Sequence, residues 1–133
     1  MITFCWLLKE LINEETTIII YVDRQPIEEL SIEDKIIKTF PDNPDLMLAI
    51  AECESGLRQF DDSGNYIKSH TNDSGLFQIN DATWKTTADN LNLDYKHSVD
   101  DNIEMARYIY DTQGVNAWVC LRLIDRQTLA YNP

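Results

Sequence analysis

Two glutamates, Glu52 and Glu54, sit in the largely apolar segment Leu46–Leu57. Placed on a helix at about 100° per residue, Leu46, Ile50, Cys53 and Leu57 fall on one narrow apolar stripe. Glu54 lies at the edge of that stripe, between Ile50 and Met47 in angle, while Glu52 points to the opposite side. A carboxyl carried into apolar surroundings loses the hydration of its charged form. Its pKa rises, and it can hold a proton near neutral pH as a general acid must. The competing reading makes Glu54 a boundary residue paired with Arg58, its neighbour one turn on.

Further along, Gly75-Leu-Phe-Gln-Ile-Asn80 is an apolar strip carrying two amides, Gln78 and Asn80. Amides both donate and accept, which suits sugar hydroxyls and acetamido groups. Trp84, Tyr108, Tyr110 and Trp118 could offer flat faces to pyranose rings, or serve as core aromatics at helical spacing. Asp61, Ser63 and Asn65 alternate as calcium ligands do. A glycine stands at the fourth position, however, and Asn72 replaces the acidic twelfth ligand, so a turn is expected rather than a metal site. His70 and His97 have no partners at ligand spacing and are expected on the surface. No cofactor is expected.

The elements that must position these groups are legible in outline. Ser31-Ile-Glu-Asp34 is a capping-box pattern opening a short helix with Ile32, Ile36, Ile37 and Phe40 as its apolar residues. Pro41 and Asp42 end it. Asn43 then Pro44 read as an N-cap and first helical residue, starting a helix to about Leu57 or Arg58. Asp61–Asn65 is dense in turn formers and Tyr66–Ser69 alternates, which predicts a small β-hairpin before the strip. Asn80 or Asp81 caps a helix over Ala82–Asn90, and Ser98-Val-Asp-Asp101 opens one reaching about Gln113, where Gly114 stands as a left-handed cap. The fold class is thus α+β, mainly helical, with one small β element. Residues 1–25 read as a separate N-terminal extension, with a short helix over Trp6–Ile12 and a strand over Thr16–Val22, and 26–133 as the domain proper.

Composition excludes several function classes. The 133 residues carry 23 Asp plus Glu against 11 Lys plus Arg, a net charge of -12, which repels nucleic-acid backbones and anionic lipid surfaces. Apolar runs such as Thr17–Val22 are far too short to span a bilayer. No basic residue precedes Ile2–Leu8 and no small-residue cleavage site follows, so no signal peptide is visible. The three cysteines, Cys5, Cys53 and Cys120, match no zinc spacing. One bridge, Cys53 to Cys120, is open to a protein working outside the cell; buried free thiols are the alternative.

Ala51-Glu-Cys-Glu-Ser-Gly-Leu57, Gly75-Leu-Phe-Gln-Ile-Asn80 and Asn102-Ile-Glu-Met-Ala-Arg-Tyr-Ile-Tyr110 together resemble the lysozyme-like superfamily, most of all its soluble lytic transglycosylase domains. The resemblance covers roughly Ile32 to Trp118. It implies a lysozyme-like fold and peptidoglycan glycan strands as substrate, cut at the β-1,4 bond between N-acetylmuramic acid and N-acetylglucosamine. It implies that Glu54 is the catalytic acid/base, that Ser55 helps order substrate, that Gln78 contacts sugar, and that Tyr108 or Tyr110 is the family's later tyrosine. Tyr131, in Ala130-Tyr-Asn-Pro133, resembles the start of a further family segment at the chain end.

Two reactions are consistent with that resemblance. Lytic transglycosylases need one glutamate, because the muramic acid's own 6-hydroxyl attacks. Hydrolytic lysozymes need a second carboxylate. Asp73, two residues before Gly75, is similar to the second catalytic group of animal c-type lysozymes, whereas Asn80 is an amide where goose-type enzymes have an acid. The transglycosylase is the leading expectation, followed by the hydrolase using Glu54 and Asp73. An inactive glycan-binding module of the same fold is a third. The implied setting is extracellular, at the cell envelope or delivered by a phage, with the chain acting as a monomer. A net charge of -12 opposes free diffusion onto an anionic wall, so a delivered or tethered domain is expected.

Overall fold

A computed structural model describes residues 29–122 of the chain. The expectations for Cys5, the helix at 6–12, the strand at 16–22 and Tyr131 lie outside the described residues.

Helix α1 spans Ile32–Thr39. The Ser31 hydroxyl accepts from the Asp34 amide at 3.1 Å and donates to the Asp34 carboxylate at 2.9 Å, closing the helix start from both directions. Ile36 and Phe40 are fully buried, while Ile37, expected on the apolar face, is exposed. Helix α2 spans Pro44–Ser55, with proline at its first position. Asn43 precedes it without a side-chain capping bond, and its amide donates instead to the Tyr110 hydroxyl at 2.5 Å.

Two features of α2 differ from expectation. It stops at Ser55, before Leu57, because Gly56 adopts the left-handed conformation at φ 66° and ψ 39° and its N–H turns back to the Ala51 and Glu52 carbonyls. Its buried face is Met47, Ile50 and Ala51, with Leu46 and Leu57 only partly buried and Cys53 exposed. The apolar stripe is therefore rotated toward Met47. That rotation moves Glu54 from the edge of the core-facing surface to its middle.

The β element lies between α2 and the next helix, and its paired strands are not those of the expected hairpin. Strand β1, Asp73–Ser74, pairs antiparallel with β2, Ile79–Asn80, in the register Asp73 to Asn80 and Ser74 to Ile79. The strip residues 75–78 form the turn between them. The Tyr66–Ser69 stretch contributes only the isolated bridges Phe60 to Tyr66 and Lys68 to Ser74. Its ladders end after a single pair because turns at 61–65 and 69–72 interrupt them. The Asp61 carboxylate closes the first turn, accepting from the Ser63 and Asn65 amides at 2.8 and 3.0 Å.

Helix α3, Asp81–Leu91, is capped by Asn80 through the Thr83 amide. Helix α4, Val99–Gln113, is capped by Ser98 through the Asp101 amide; Gly114 ends it, with φ 70° but an extended ψ. A 3-10 turn, Val115–Ala117, follows. Phe77 lies at the centre of the core, 5.9 Å ring to ring from both Phe40 and Trp118. Burying a side chain of that size stabilises the fold by about 1.5–3 kcal/mol. The result is a mainly helical α+β fold with one two-stranded antiparallel sheet.

Two buried amides that the sequence reading did not single out hold the strip in place. Gln59 accepts from the Leu76 N–H at 2.8 Å and donates to the Tyr95 and Lys96 carbonyls. Asn102 accepts from the Phe77 N–H at 3.0 Å and donates to the Ser74 and Tyr95 carbonyls. Buried backbone groups need such partners, and here a short irregular turn gets them from side chains rather than from a sheet.

Candidate active site

A cleft of about 250 Å³ opens between the end of α2, the β element and the segment after α4. Glu54 and Asp73 both line it, with Gln78, Asn80, Trp84 and Trp118 among the other walls. No lysine or arginine among the described residues does. Among the described residues no three His, Cys, Asp or Glu side chains converge as a metal site.

The pKa values of the two carboxyls are shifted in opposite directions. Glu54 is half-buried, and loss of hydration pushes its pKa up; the Cys120 backbone N–H partly offsets this, and the charge of Asp73 adds to it. Arg58, the alternative partner for Glu54, instead pairs with Asp62 at 3.9 Å. Asp73 is also desolvated, but hydrogen bonds from Thr71, Asn80 and Ser69, with the nearby His70, hold its pKa below the ordinary value. The Asn80 amide and the Ser69 hydroxyl each donate at 2.7 Å, and Thr71 donates as well. One cleft thus presents a carboxyl that favours its proton and a carboxylate that favours its charge. That division separates an acid from an anion in glycoside-cleaving sites generally.

A model of the transglycosylase SLT domain matches residues 31–114, from the cap of α1 to the end of α4. The chain belongs to the transglycosylase SLT domain family. No match is found among curated proteins or among solved structures. Within this SLT domain, the matched span contains Glu54, Asp73, the strip and Asn102.

The other candidate residues divide by position. Gln78 lines the cleft with a positive φ of 47°, and its amide donates to the Gly75 carbonyl at 2.8 Å. Asn80 also lines it, yet its side chain is already engaged: its oxygen caps α3, and its nitrogen donates to Asp73 and to the Thr71 carbonyl. It acts on the site by fixing Asp73. Ser55, expected at the substrate, does not line the cleft. Its hydroxyl reaches the Leu76 carbonyl at 2.8 Å and accepts from the Arg58 amide, tying the end of α2 to the strip.

Tyr110 is a correction. It faces the α1–α2 corner, where its hydroxyl meets Asp42 at 3.0 Å and its ring packs edge-on to Phe40. The register of α4 decides this: Ile109 turns to the cleft and Tyr110 turns 100° away. Tyr108 is exposed and outside the cleft lining, but it stands edge-on to Trp84, 6.2 Å ring to ring. Trp84 is half-buried in the cleft wall. Trp118 is buried, its indole N–H donating to the Phe77 carbonyl at 3.1 Å, so it shapes the wall more than it offers a free face.

Cys53 and Cys120 are bonded to each other, 67 residues apart in sequence and 6.0 Å between α-carbons. Thiol titration of denatured, unreduced protein made under oxidising conditions should therefore return one thiol per chain from three cysteines. Three thiols would contradict the bridge.

Proposed function

We propose that this SLT domain cleaves the β-1,4 bond between N-acetylmuramic acid and N-acetylglucosamine of peptidoglycan as a lytic transglycosylase, with Glu54 as its catalytic acid and base. The observation that carries the reading is a half-buried Glu54, its pKa raised by desolvation, in a cleft lined by two amides and two tryptophans. Glu54 gives its proton to the bridging oxygen as the C1–O bond breaks, freeing the 4-hydroxyl of the next sugar. The Glu54 carboxylate then takes the proton from the muramic acid 6-hydroxyl while that oxygen bonds to C1. The product is a 1,6-anhydro end, and the glutamate is regenerated protonated.

A hydrolytic reading is favoured by one specific observation: Asp73 is itself in the cleft and held ionised by three donors. A second carboxylate of that kind is what a lysozyme uses as nucleophile or water-positioning group. Mass spectrometry of products from purified peptidoglycan separates the two, since anhydro-muropeptides mean transglycosylation and reducing ends mean hydrolysis. Intact glycan would leave a binding module.

The companion variant is Asp73→Asn. With an internal nucleophile it should keep turnover within about tenfold of the parent and leave the product type unchanged. A loss as deep as that of Glu54→Gln would move the assignment to the two-carboxylate hydrolase. Peptidoglycan as substrate places the working site outside the cytoplasm, where a Cys53–Cys120 bond persists. Among the described residues no helix is long and apolar enough to cross a membrane. The net charge of -12 favours delivery to the wall by another body over steering from solution.

A further inference from the structure

One wall of the cleft is a short stretch of chain after α4. Ala117, Trp118 and Val119 line it, and the next residue, Cys120, is bonded to Cys53, the residue just before Glu54. The backbone bonds within this stretch are local, from Trp118 to Val115, Leu121 to Trp118 and Arg122 to Val119. Val119 is 73% exposed, so its burial contributes little to holding the wall. Among the described residues, what joins the wall to the rest of the site is the packing of the buried Trp118 ring on Phe77, its indole bond to the Phe77 carbonyl, and the cystine itself. Of these only the cystine is covalent, and it lands on the helix that carries the acid.

We infer that Cys53–Cys120 is a positioning cystine, which seats the 117–120 wall against Glu54 and so makes the acid's activity dependent on an oxidising environment. The catalytic half of this inference rests on the proposed role of Glu54. Reduction by a dithiol would proceed by attack of one thiolate on a cystine sulfur, breaking the Sγ–Sγ bond and forming a mixed disulfide. The reagent's second thiolate then displaces the other protein sulfur. Two electrons and two protons end on Cys53 and Cys120, and the dithiol leaves as its own disulfide. Once untied, the wall stays anchored at Trp118, through its packing on Phe77 and its indole bond, and Cys120 and the exposed Val119 beyond it are left with local turns alone. Burial outweighs the Cys120 amide at Glu54, so opening the wall should bring the carboxyl down toward its ordinary range.

The test compares oxidised protein, dithiol-reduced protein and the Cys53→Ser/Cys120→Ser double variant. Three readouts are needed: far-ultraviolet circular dichroism, carbon NMR titration of the Glu54 carboxyl assigned with Glu54→Gln, and kcat and KM on purified peptidoglycan. The expected result is an unchanged helical signal, a Glu54 midpoint moved to lower pH, and kcat lowered at least about tenfold with KM moved less. An unchanged midpoint and unchanged kcat after reduction would overturn the inference. Global loss of the helical signal on reduction would overturn it too, because the bond would then be a staple of the whole fold. If the oxidised protein leaves peptidoglycan intact while the midpoint still moves, the positioning stands and the proposed reaction is what fails.

Discussion

Glu54→Gln should fold as the parent does and lose peptidoglycan turnover by about 10²–10⁴-fold, the usual contribution of one positioned acid. The amide keeps the shape of the side chain, and its oxygen can still accept from the Cys120 N–H, but it cannot give up a proton at the bridging oxygen. Glu52→Gln is the matched control, because Glu52 is exposed on the opposite side of α2 and touches nothing in the cleft. It should stay within about twofold of the parent, as surface changes away from special features generally do. Release of soluble muropeptides measures both. Comparable losses in the two variants would contradict the assignment of the acid by helix face.

The raised pKa of Glu54 also sets the sign of two pH effects. In its proposed role as general acid it must be protonated, so turnover should fall as pH climbs through its elevated folded-state value. For stability, the folded state holds the Glu54 proton at pH values where the unfolded chain has released it. Stability from this group is therefore complete below the ordinary glutamate range and is lost as pH rises through the folded-state value. Above that window Glu54→Gln should melt at a higher temperature than the parent while being the less active protein. Asp73 works in the other direction. Its lowered pKa contributes stability above the ordinary aspartate range, and that contribution is lost as pH falls through the folded-state value.

Local chemistry is what the sequence carries most clearly. Helix starts were legible wherever a side chain closes them, at Ser31, Asn80 and Ser98, since the capping residue and the amide it satisfies lie three positions apart. The end of α2 was less so, because apolar periodicity continues to Leu57 while the backbone has already turned at Gly56. Periodicity also misjudged the face. Leu46, Cys53 and Leu57 make a convincing stripe in isolation, yet the tertiary partners select Met47, Ile50 and Ala51. Glu54 was singled out because it lies in angle between Ile50 and Met47, beside the stripe read from the sequence and inside the face that the fold selects. Motif spacing left Tyr108 and Tyr110 both open as the later tyrosine, and it cannot resolve the register of α4, which turns Ile109 between them to the cleft. Gln59 left no local signal, since its partners Tyr95 and Lys96 lie 36 and 37 residues away. Asn102 sits in the quoted Asn-Ile motif, but its work is structural: it feeds hydrogen bonds to the strip that forms the cleft floor.

Those two amides make Gly75→Ala the most damaging of the glycine-to-alanine changes. Gly75 has φ 75°, a conformation that costs an L-residue about 1–2 kcal/mol. A methyl there would stand 2.5 Å from the Asn102 side-chain nitrogen and 2.5 and 2.6 Å from the Gln59 amide atoms. Neither amide can yield freely, because both are buried and each is bonded to the backbone on two sides. Moving either breaks buried hydrogen bonds at about 1–3 kcal/mol apiece. The combined loss should reach about 3–5 kcal/mol, a large part of a domain's typical stability. Gly64→Ala is the discriminating control. Its φ of 81° imposes the same backbone cost, but nothing lies within 4 Å of the added carbon. Denaturant unfolding should therefore show Gly64→Ala losing about 1–2 kcal/mol and Gly75→Ala at least twice that. Because Gln78 and Asp73 stand on either side of the displaced turn, peptidoglycan turnover should fall in Gly75→Ala even where it remains folded, and not in Gly64→Ala. Equal destabilisation of the two variants would mean that backbone conformation alone dictates glycine at position 75, and that the Gln59 and Asn102 amides are free to move aside.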